Sequence, residues 1–328
     1  MSQELIIVIA LALIFGFLNG VRDVSNIVAT MISSRAFSPR TALNIASISE
    51  FIGPFLFGVV VAQTIAGQVV KSEDLTLDVI MAALIGAIVW NLVTWYFGLP
   101  GSSTHALIGG LLGSTWVGAG LDAILWGGVG KVLIALFVSP LVGFIGGFLF
   151  TRLIYFLARD ASPRINDFFK NAQFFTAVGL GLSHGANDAQ KTMGIIVLSL
   201  VIGGVLPGFA VPTWVVVSSA GVMALGASLG GWRMIRTLGG KFYKIRPLDS
   251  FSTQLTSTEV VLGASLLGAP VSTSHIVSSA IVGVGSSERM SKVRWSVAEE
   301  IAASWLITIP TSALLSAGVY WLIGIIPK

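Results

Sequence analysis

The chain is 328 residues long, 54% hydrophobic and only 10% charged, and its mean hydropathy of +0.89 excludes a soluble globular protein, in which about one residue in four is charged. Its formal net charge of +4 is spread over short connections rather than gathered in one patch, which excludes a nucleic-acid footprint. The absence of cysteine excludes disulfides and thiol chemistry.

Apolar runs follow one another along the chain: Leu5 to Leu18, Ile45 to Ala66, Val79 to Leu99, Ile124 to Leu157, Phe174 to Val205, Pro212 to Leu229, Leu255 to Leu267 and Ile301 to Ile326. A spanning helix needs about 20 residues, so roughly ten to twelve membrane segments are expected in an all-α polytopic membrane protein. The first run passes into polar sequence without a basic leader or small-residue cleavage site, so no cleavable signal peptide is expected. Basic residues gather in three connections, Arg35 with Arg40, then Arg152, Arg159, Arg164 and Lys170, then Arg233, Arg236, Lys241, Lys244 and Arg246. The connection holding Lys71 also carries Glu73, Asp74 and Asp78. The positive-inside rule assigns the first three to the cytoplasm and the fourth to the outside. The loop with Arg289, Lys292 and Arg294 resists, because symmetry with the first half places it outside.

Two motifs occur twice, in the same order. Residues 19–23 read NGVRD and residues 184–188 read HGAND, an offset of 165. Residues 98–105 read GLPGSSTH and residues 268–275 read GAPVSTSH, with Gly98/Gly268, Pro100/Pro270, Ser102/Ser272 and His105/His275 all offset by 170. The chain is therefore an internal duplication, divided into a first transmembrane repeat at 1–152, a basic cytoplasmic linker at 153–173 and a second repeat at 174–328. If the first repeat starts outside, the linker starts the second from the cytoplasm, which makes the two repeats inverted. Repeats of this kind, built from re-entrant hairpins and broken helices, mark a transporter with one central site.

Each PxSxSH-like segment predicts a helix that stops at proline and a new helix capped by hydroxyls. Gly101, Ser102, Ser103 and Thr104, and Val271, Ser272, Thr273 and Ser274, then present first-turn backbone N–H groups and the positive end of a helix dipole. At membrane depth that is a cradle for an oxyanion. The alternative is that these hydroxyls bond back to their own helices. His105 and His275 are expected to hold the hairpin tips by bonding backbone or hydroxyl groups, since no HExxH helix or cysteine supports a metal site.

Ionisable groups in a bilayer cost about 2.5–3.5 kcal/mol each, so Asp23 and Asp188 need a function. Asp23 with Asn19 and Asn26, and Asp188 with Asn187, form a hard-oxygen set suited to Na⁺ or a proton. Gly20 and Gly185 are expected to let their helices unwind so that carbonyls join the coordination. The alternative is a salt bridge, Asp23 with Arg22 or Asp188 with Lys191. Glu50 and Glu259 have no acidic counterpart in the other half and are each either a further cation ligand or a buried hydrogen-bonded acid.

The stretch GANDAQKTMGI (185–195) together with the paired PGSSTH and PVSTSH segments resembles the PiT family of inorganic phosphate transporters, over nearly the whole chain. The second half keeps Gly185, Ala186, Asn187 and Asp188 of that family's pattern, while the first keeps Gly20, Asp23, Val24 and Asn26 but has Val21 and Arg22 where Ala and Asn are usual. The resemblance implies a plasma-membrane symporter, not an enzyme, that imports inorganic phosphate with Na⁺, or alternatively H⁺, and needs no cofactor beyond the co-transported cation. Its partners are then phosphate, the cation and lipid, and a homo-oligomer stays open. Two other readings remain: a permease for sulfate or another oxyanion, and, more distantly, an intramembrane hydrolase with Ser102 or Ser272 as nucleophile.

Overall fold

Proline, glycine and hydroxyl residues cut the apolar sequence into thirteen α-helices in the computed structural model, which describes residues 2–325. In chain order they are α1 (Gln3–Asp23), α2 (Ser25–Ser33), α3 (Pro39–Phe57), α4 (Val60–Gln68), α5 (Leu77–Phe97), α6 (Ser103–Ala119) and α7 (Trp126–Leu157). The second half contributes α8 (Ile165–Ile202), α9 (Thr213–Leu229), α10 (Trp232–Gly240), α11 (Pro247–Leu266), α12 (Thr273–Glu288) and α13 (Trp295–Ile325). No β-strand occurs among the described residues; Ile326, where the last apolar run ends, lies outside them. Four stretches are long and apolar enough to cross a membrane: Gln3–Ser33, Leu77–Phe97, Trp126–Leu157 and Trp295–Ile325. Two bent pairs, α3 with α4 at 75° and α9 with α10 at 70°, raise that number to six. With each broken or bent pair taken as one, the helices make ten segments.

The second half repeats the first: α1 and α2 correspond to α8, the bent pair α3/α4 to α9/α10, the hairpin α5/α6 to α11/α12, and α7 to α13, with Pro140 and Pro310 inside the last two. The expected linker at 153–173 is mostly helix, because α7 runs to Leu157 and α8 begins at Ile165.

Both hairpins turn back inside the fold. Helices α5 and α11 end at Gly98 and Gly268, whose φ values of 69° and 70° lie in the left-handed region that only glycine enters without strain. Proline follows two residues later in each. Ser102 Oγ then accepts the His105 N–H at 3.1 Å and Ser272 Oγ accepts the His275 N–H at 3.3 Å, which starts α6 and α12. Helix α6 returns to the face it came from, where the Lys71 N–H donates to the Ala123 carbonyl at 2.9 Å and the Leu125 N–H to the Val69 carbonyl at 3.0 Å.

The second hairpin re-enters from the opposite face. Arg246, before α11, bonds both Tyr155 at the end of α7 and Glu288 at the end of α12. The Arg294 N–H donates to the Phe242 carbonyl at 3.1 Å. The loop with Arg289, Lys292 and Arg294 therefore shares a face with Lys241, Lys244 and Arg246, contrary to the expectation from simple symmetry. The reason is geometric: α12 has 16 residues and starts at the buried tip, so at 1.5 Å per residue it regains the surface that α11 left. Partial burial pushes the Glu288 carboxyl up, but Lys292 at 2.8 Å and Arg246 beside it hold it below its ordinary value.

The tips are anchored crosswise. Thr237 Oγ1 on α10 donates to the Gly98 carbonyl at 3.0 Å, and Thr64 Oγ1 on α4 donates to the Gly268 carbonyl at 2.7 Å. Each hairpin is held by a short helix of the other half.

Candidate functional site

The two hairpin tips meet each other deep in the fold. Thr104 Oγ1 donates to the Val271 carbonyl at 2.8 Å, and the His105 and His275 rings lie against each other at a tilt of 32°, with centroids 4.6 Å apart. His275 also stacks on Trp305 at 4.1 Å. Both ring nitrogens of His105 and Nε2 of His275 are buried without a hydrogen-bond partner among the described residues, so these histidines hold the tips by ring contact rather than by the hydrogen bonds expected. Gly101, Ser102, Ser103, Thr104, Val271, Ser272, Thr273 and Ser274 are all buried. Residues from positions 170 apart thus form one cluster, with the N-termini of α6 and α12 directed into it.

Behind the tips stand the two carboxylates. Ser103 Oγ donates to Asp23 Oδ2 at 3.1 Å, and in the pseudo-equivalent place Thr273 Oγ1 donates to Asp188 Oδ2 at 3.0 Å. Ser274 Oγ crosses between halves, donating to Asp23 Oδ1 at 3.3 Å and accepting from Asn26 Nδ2 at 3.0 Å. Ser102 and Ser272 act as helix caps, whereas Ser103, Thr273 and Ser274 reach across elements rather than back to their own helices.

Asp23 lies at the end of α1, where the helix breaks at Val24 before α2 begins. Asp188 lies in the middle of α8, which runs without interruption from Ile165 to Ile202. Unwinding at Gly20 and Gly185 does not occur; both are helical. Glycine is needed at 185 for close approach instead, because a Cβ there would collide with the carbonyl of Glu50 on α3. That crossing brings Glu50 to the site. Its Oε1 lies 2.8 Å from His184 Nδ1, and His184 Nε2 lies 3.1 Å from Asp188 Oδ2. Lys191 Nζ bonds Asp188 Oδ1, and all four side chains are fully buried.

Arg22 makes no ion pair with Asp23 among the described residues; its guanidinium donates to the Gly101 carbonyl at 2.8 Å and to Asn91 Oδ1. Asn187 does the equivalent for the second tip, donating to Ser265 Oγ at 3.0 Å and to the Ala269 carbonyl at 3.2 Å. Both residues position a hairpin tip. Glu259 is not at the site. It is exposed on α11 and lines a groove with Lys131 and Gly146, because the buried face of that helix is carried by Gln254, Thr256, Ser257 and Val261.

Three participants were not assigned from the sequence: His184, Gln190 and Asn91. For His184 the signal was its i,i+4 spacing to Asp188 on one helix face. Gln190 has no such signal; it accepts from the Ala62 N–H at 3.1 Å and donates to the Gly58 carbonyl at 2.7 Å, closing the break between α3 and α4.

With this geometry in view, the chain compares closely with known transporters. The model of the phosphate transporter family matches it twice, at residues 19–164 and 157–316. A "Probable low-affinity inorganic phosphate transporter" of Bacillus subtilis is 40% identical over 327 residues, 98% of this chain and 97% of that one. A protein of the same name from Rhizobium meliloti is 42% identical over 315 residues, covering 95% and 94%. A solved structure titled "The sodium-dependent phosphate transporter" superposes with a TM-score of 0.89 at 27% identity, covering 99% of this chain and 100% of that one. A duplicated all-helical membrane fold, two tips meeting over buried carboxylates, and relatives of this length and identity lead to one conclusion: the chain belongs to the phosphate transporter family and is a multi-pass membrane transporter, not an enzyme.

Proposed function

We propose that the protein is a secondary active symporter that imports inorganic phosphate across the plasma membrane together with Na⁺. The observation that carries this reading is the meeting of the α6 and α12 N-termini, each with a hydroxyl bonded to a buried aspartate. The substrate is the one for which the relatives are named, and the coupling ion the one for which the structural neighbour is named.

The hydrogen bonds supply a coupling mechanism. A hydroxyl has one proton to donate. When Ser103 or Ser274 turns its O–H to a phosphate oxygen, Asp23 loses a hydrogen-bond donor and the oxygen that accepted it, Oδ2 or Oδ1, is left bare for a cation. Asn26 Oδ1, buried and unpartnered among the described residues, is the second oxygen of that cation site. Anion and cation binding thereby favour each other, and the effect is reciprocal. The same carboxylates favour phosphate over sulfate, because hydrogen phosphate brings a proton that an aspartate accepts and sulfate does not.

Uptake of labelled phosphate and sulfate by purified protein in liposomes tests this. Phosphate entry driven by an inward Na⁺ gradient, with sulfate neither carried nor competing, is the expected result. Equal transport of sulfate would make the protein a general oxyanion permease, and uptake driven by a proton gradient alone would replace Na⁺ with H⁺.

The sidedness follows from charge. The face carrying residues 158–164, 241–246 and 289–294 is the basic one, which places it in the cytoplasm by the positive-inside rule. The chain has no cysteine, so Ser162→Cys and Glu73→Cys are single thiols in an otherwise unchanged protein. In intact cells an impermeant thiol reagent should label position 73 and spare position 162; the reverse pattern overturns the sidedness.

A further inference from the structure

The two halves are alike in their tips and unlike in their cations. With the offset of 165 that aligns Asp23 with Asp188, Asn26 aligns with Lys191. Among the described residues, Asn26 turns Nδ2 to Ser274 and leaves Oδ1 buried and without a partner, an arrangement of oxygens around Asp23 with no positive side chain bonded to it. Lys191 extends instead onto its own carboxylate, with Nζ on Asp188 Oδ1 while Thr273 and His184 take Oδ2. The lysine is fully buried among helices, so its ammonium is as enclosed as a bound ion would be. An ammonium in contact with a carboxylate also repels any second cation at that carboxylate, because the two like charges would share one low-dielectric site.

We infer that Lys191 is a tethered cation that permanently fills the second-half cation site, so that Asp188 takes no free co-transported cation and the transport cycle moves one cation fewer than two equivalent halves would. In the first half Asp23 and Asn26 take a free cation; in the second the charge that neutralises Asp188 stays with the protein. Thr273 can turn its O–H from Asp188 to the anion without leaving an unpaired carboxylate behind, because Lys191 is already in contact.

This inference rests on the coupled-symport reading, and its test separates the two. Liposomes are prepared with equal Na⁺ and equal pH on both sides, a potassium diffusion potential is imposed, and the steady accumulation ratio of labelled phosphate is measured against voltage. The slope reports net charge moved per phosphate, whichever cation carries it. Lys191→Asn should raise the slope by one elementary charge, which at 100 mV is about 2.3 kcal/mol, or a roughly fifty-fold higher accumulation ratio. A slope equal to wild type in an active Lys191→Asn protein overturns the inference. The charge-neutral pair Asp188→Asn with Lys191→Gln decides the matter if the single variant does not transport. It removes a carboxylate together with its own cation and should keep the wild-type slope, even at a lower rate. A slope lower by one charge would show that Asp188 carries a free cation. A wild-type protein whose phosphate accumulation ignores both voltage and cation gradients would overturn the symport reading itself.

Discussion

Asp188→Asn is expected to destabilise the protein by about 3–5 kcal/mol, whereas Asp23→Asn leaves it folded and removes the cation dependence of uptake. The difference lies in what each carboxylate touches. Removing the charge of Asp188 strands the fully buried Lys191 ammonium and one contact of His184, and a buried pair broken from one side costs that much because the remaining charge has no solvent. Among the described residues Asp23 accepts only from hydroxyls, Ser103 and Ser274, and an asparagine of the same shape keeps one acceptor oxygen for them. Thermal unfolding in detergent measures the first effect, and phosphate uptake against Na⁺ concentration measures the second. Restoring neutrality with Lys191→Gln should recover most of the stability lost in Asp188→Asn. Wild-type unfolding of Asp188→Asn, or a wild-type cation dependence in Asp23→Asn, would contradict these assignments.

Ser103→Ala and Thr273→Ala are each expected to weaken phosphate uptake by about ten- to a hundred-fold in apparent affinity. A hydrogen bond from a neutral donor to a charged group contributes roughly 1.5–3 kcal/mol, and both hydroxyls sit at the first turn of a half-helix beside a carboxylate. The double variant should lose more than either single one, because the two donors come from opposite hairpins and converge on one anion. Ser102→Ala and Ser272→Ala are different experiments: these oxygens accept the His105 and His275 N–H groups, so their loss unsettles a helix start by about 1 kcal/mol before it touches substrate. Unchanged uptake kinetics in Ser103→Ala, Thr273→Ala and their combination would remove both hydroxyls from the binding site.

Much of this site was legible because it is written twice. A hydroxyl triplet after a proline is ambiguous alone, but its recurrence 170 residues later pointed to a shared place, and the tips do meet there, through Thr104 and Val271. Asp23 and Asp188 were legible for the same reason and because charge in apolar sequence is costly. What was not legible depends on helix phase and on contacts between distant segments. Glu259 lies in an apolar run as Glu50 does, yet α11 turns it outward while α3 turns Glu50 onto His184. The closeness of α3 and α8 depends on Gly185, whose pattern matched a glycine expected to loosen the helix; only the packed structure shows that it admits the Glu50 backbone instead. The outward placement of the 289–294 loop failed because symmetry was applied to the order of the segments, while a hairpin that turns back at its tip returns to the face it left.

The crosswise anchoring of the tips has a consequence for how the protein is made. Gly98 waits for Thr237, which is 139 residues further along the chain. At a synthesis rate of roughly 5–20 residues per second, that is about 7 to 30 seconds during which the first hairpin has entered the bilayer without its latch. Arg22 and Asn91, both made before or with that hairpin, are on hand from the start: the guanidinium, held by Asn91 Oδ1, grips the Gly101 carbonyl from within the same half. The second hairpin has no such interval, since Thr64 has been in place for 204 residues when Gly268 emerges. The half made first is therefore the one that carries a guanidinium as its own temporary brace, and the half made second makes do with an amide, Asn187, in the corresponding position.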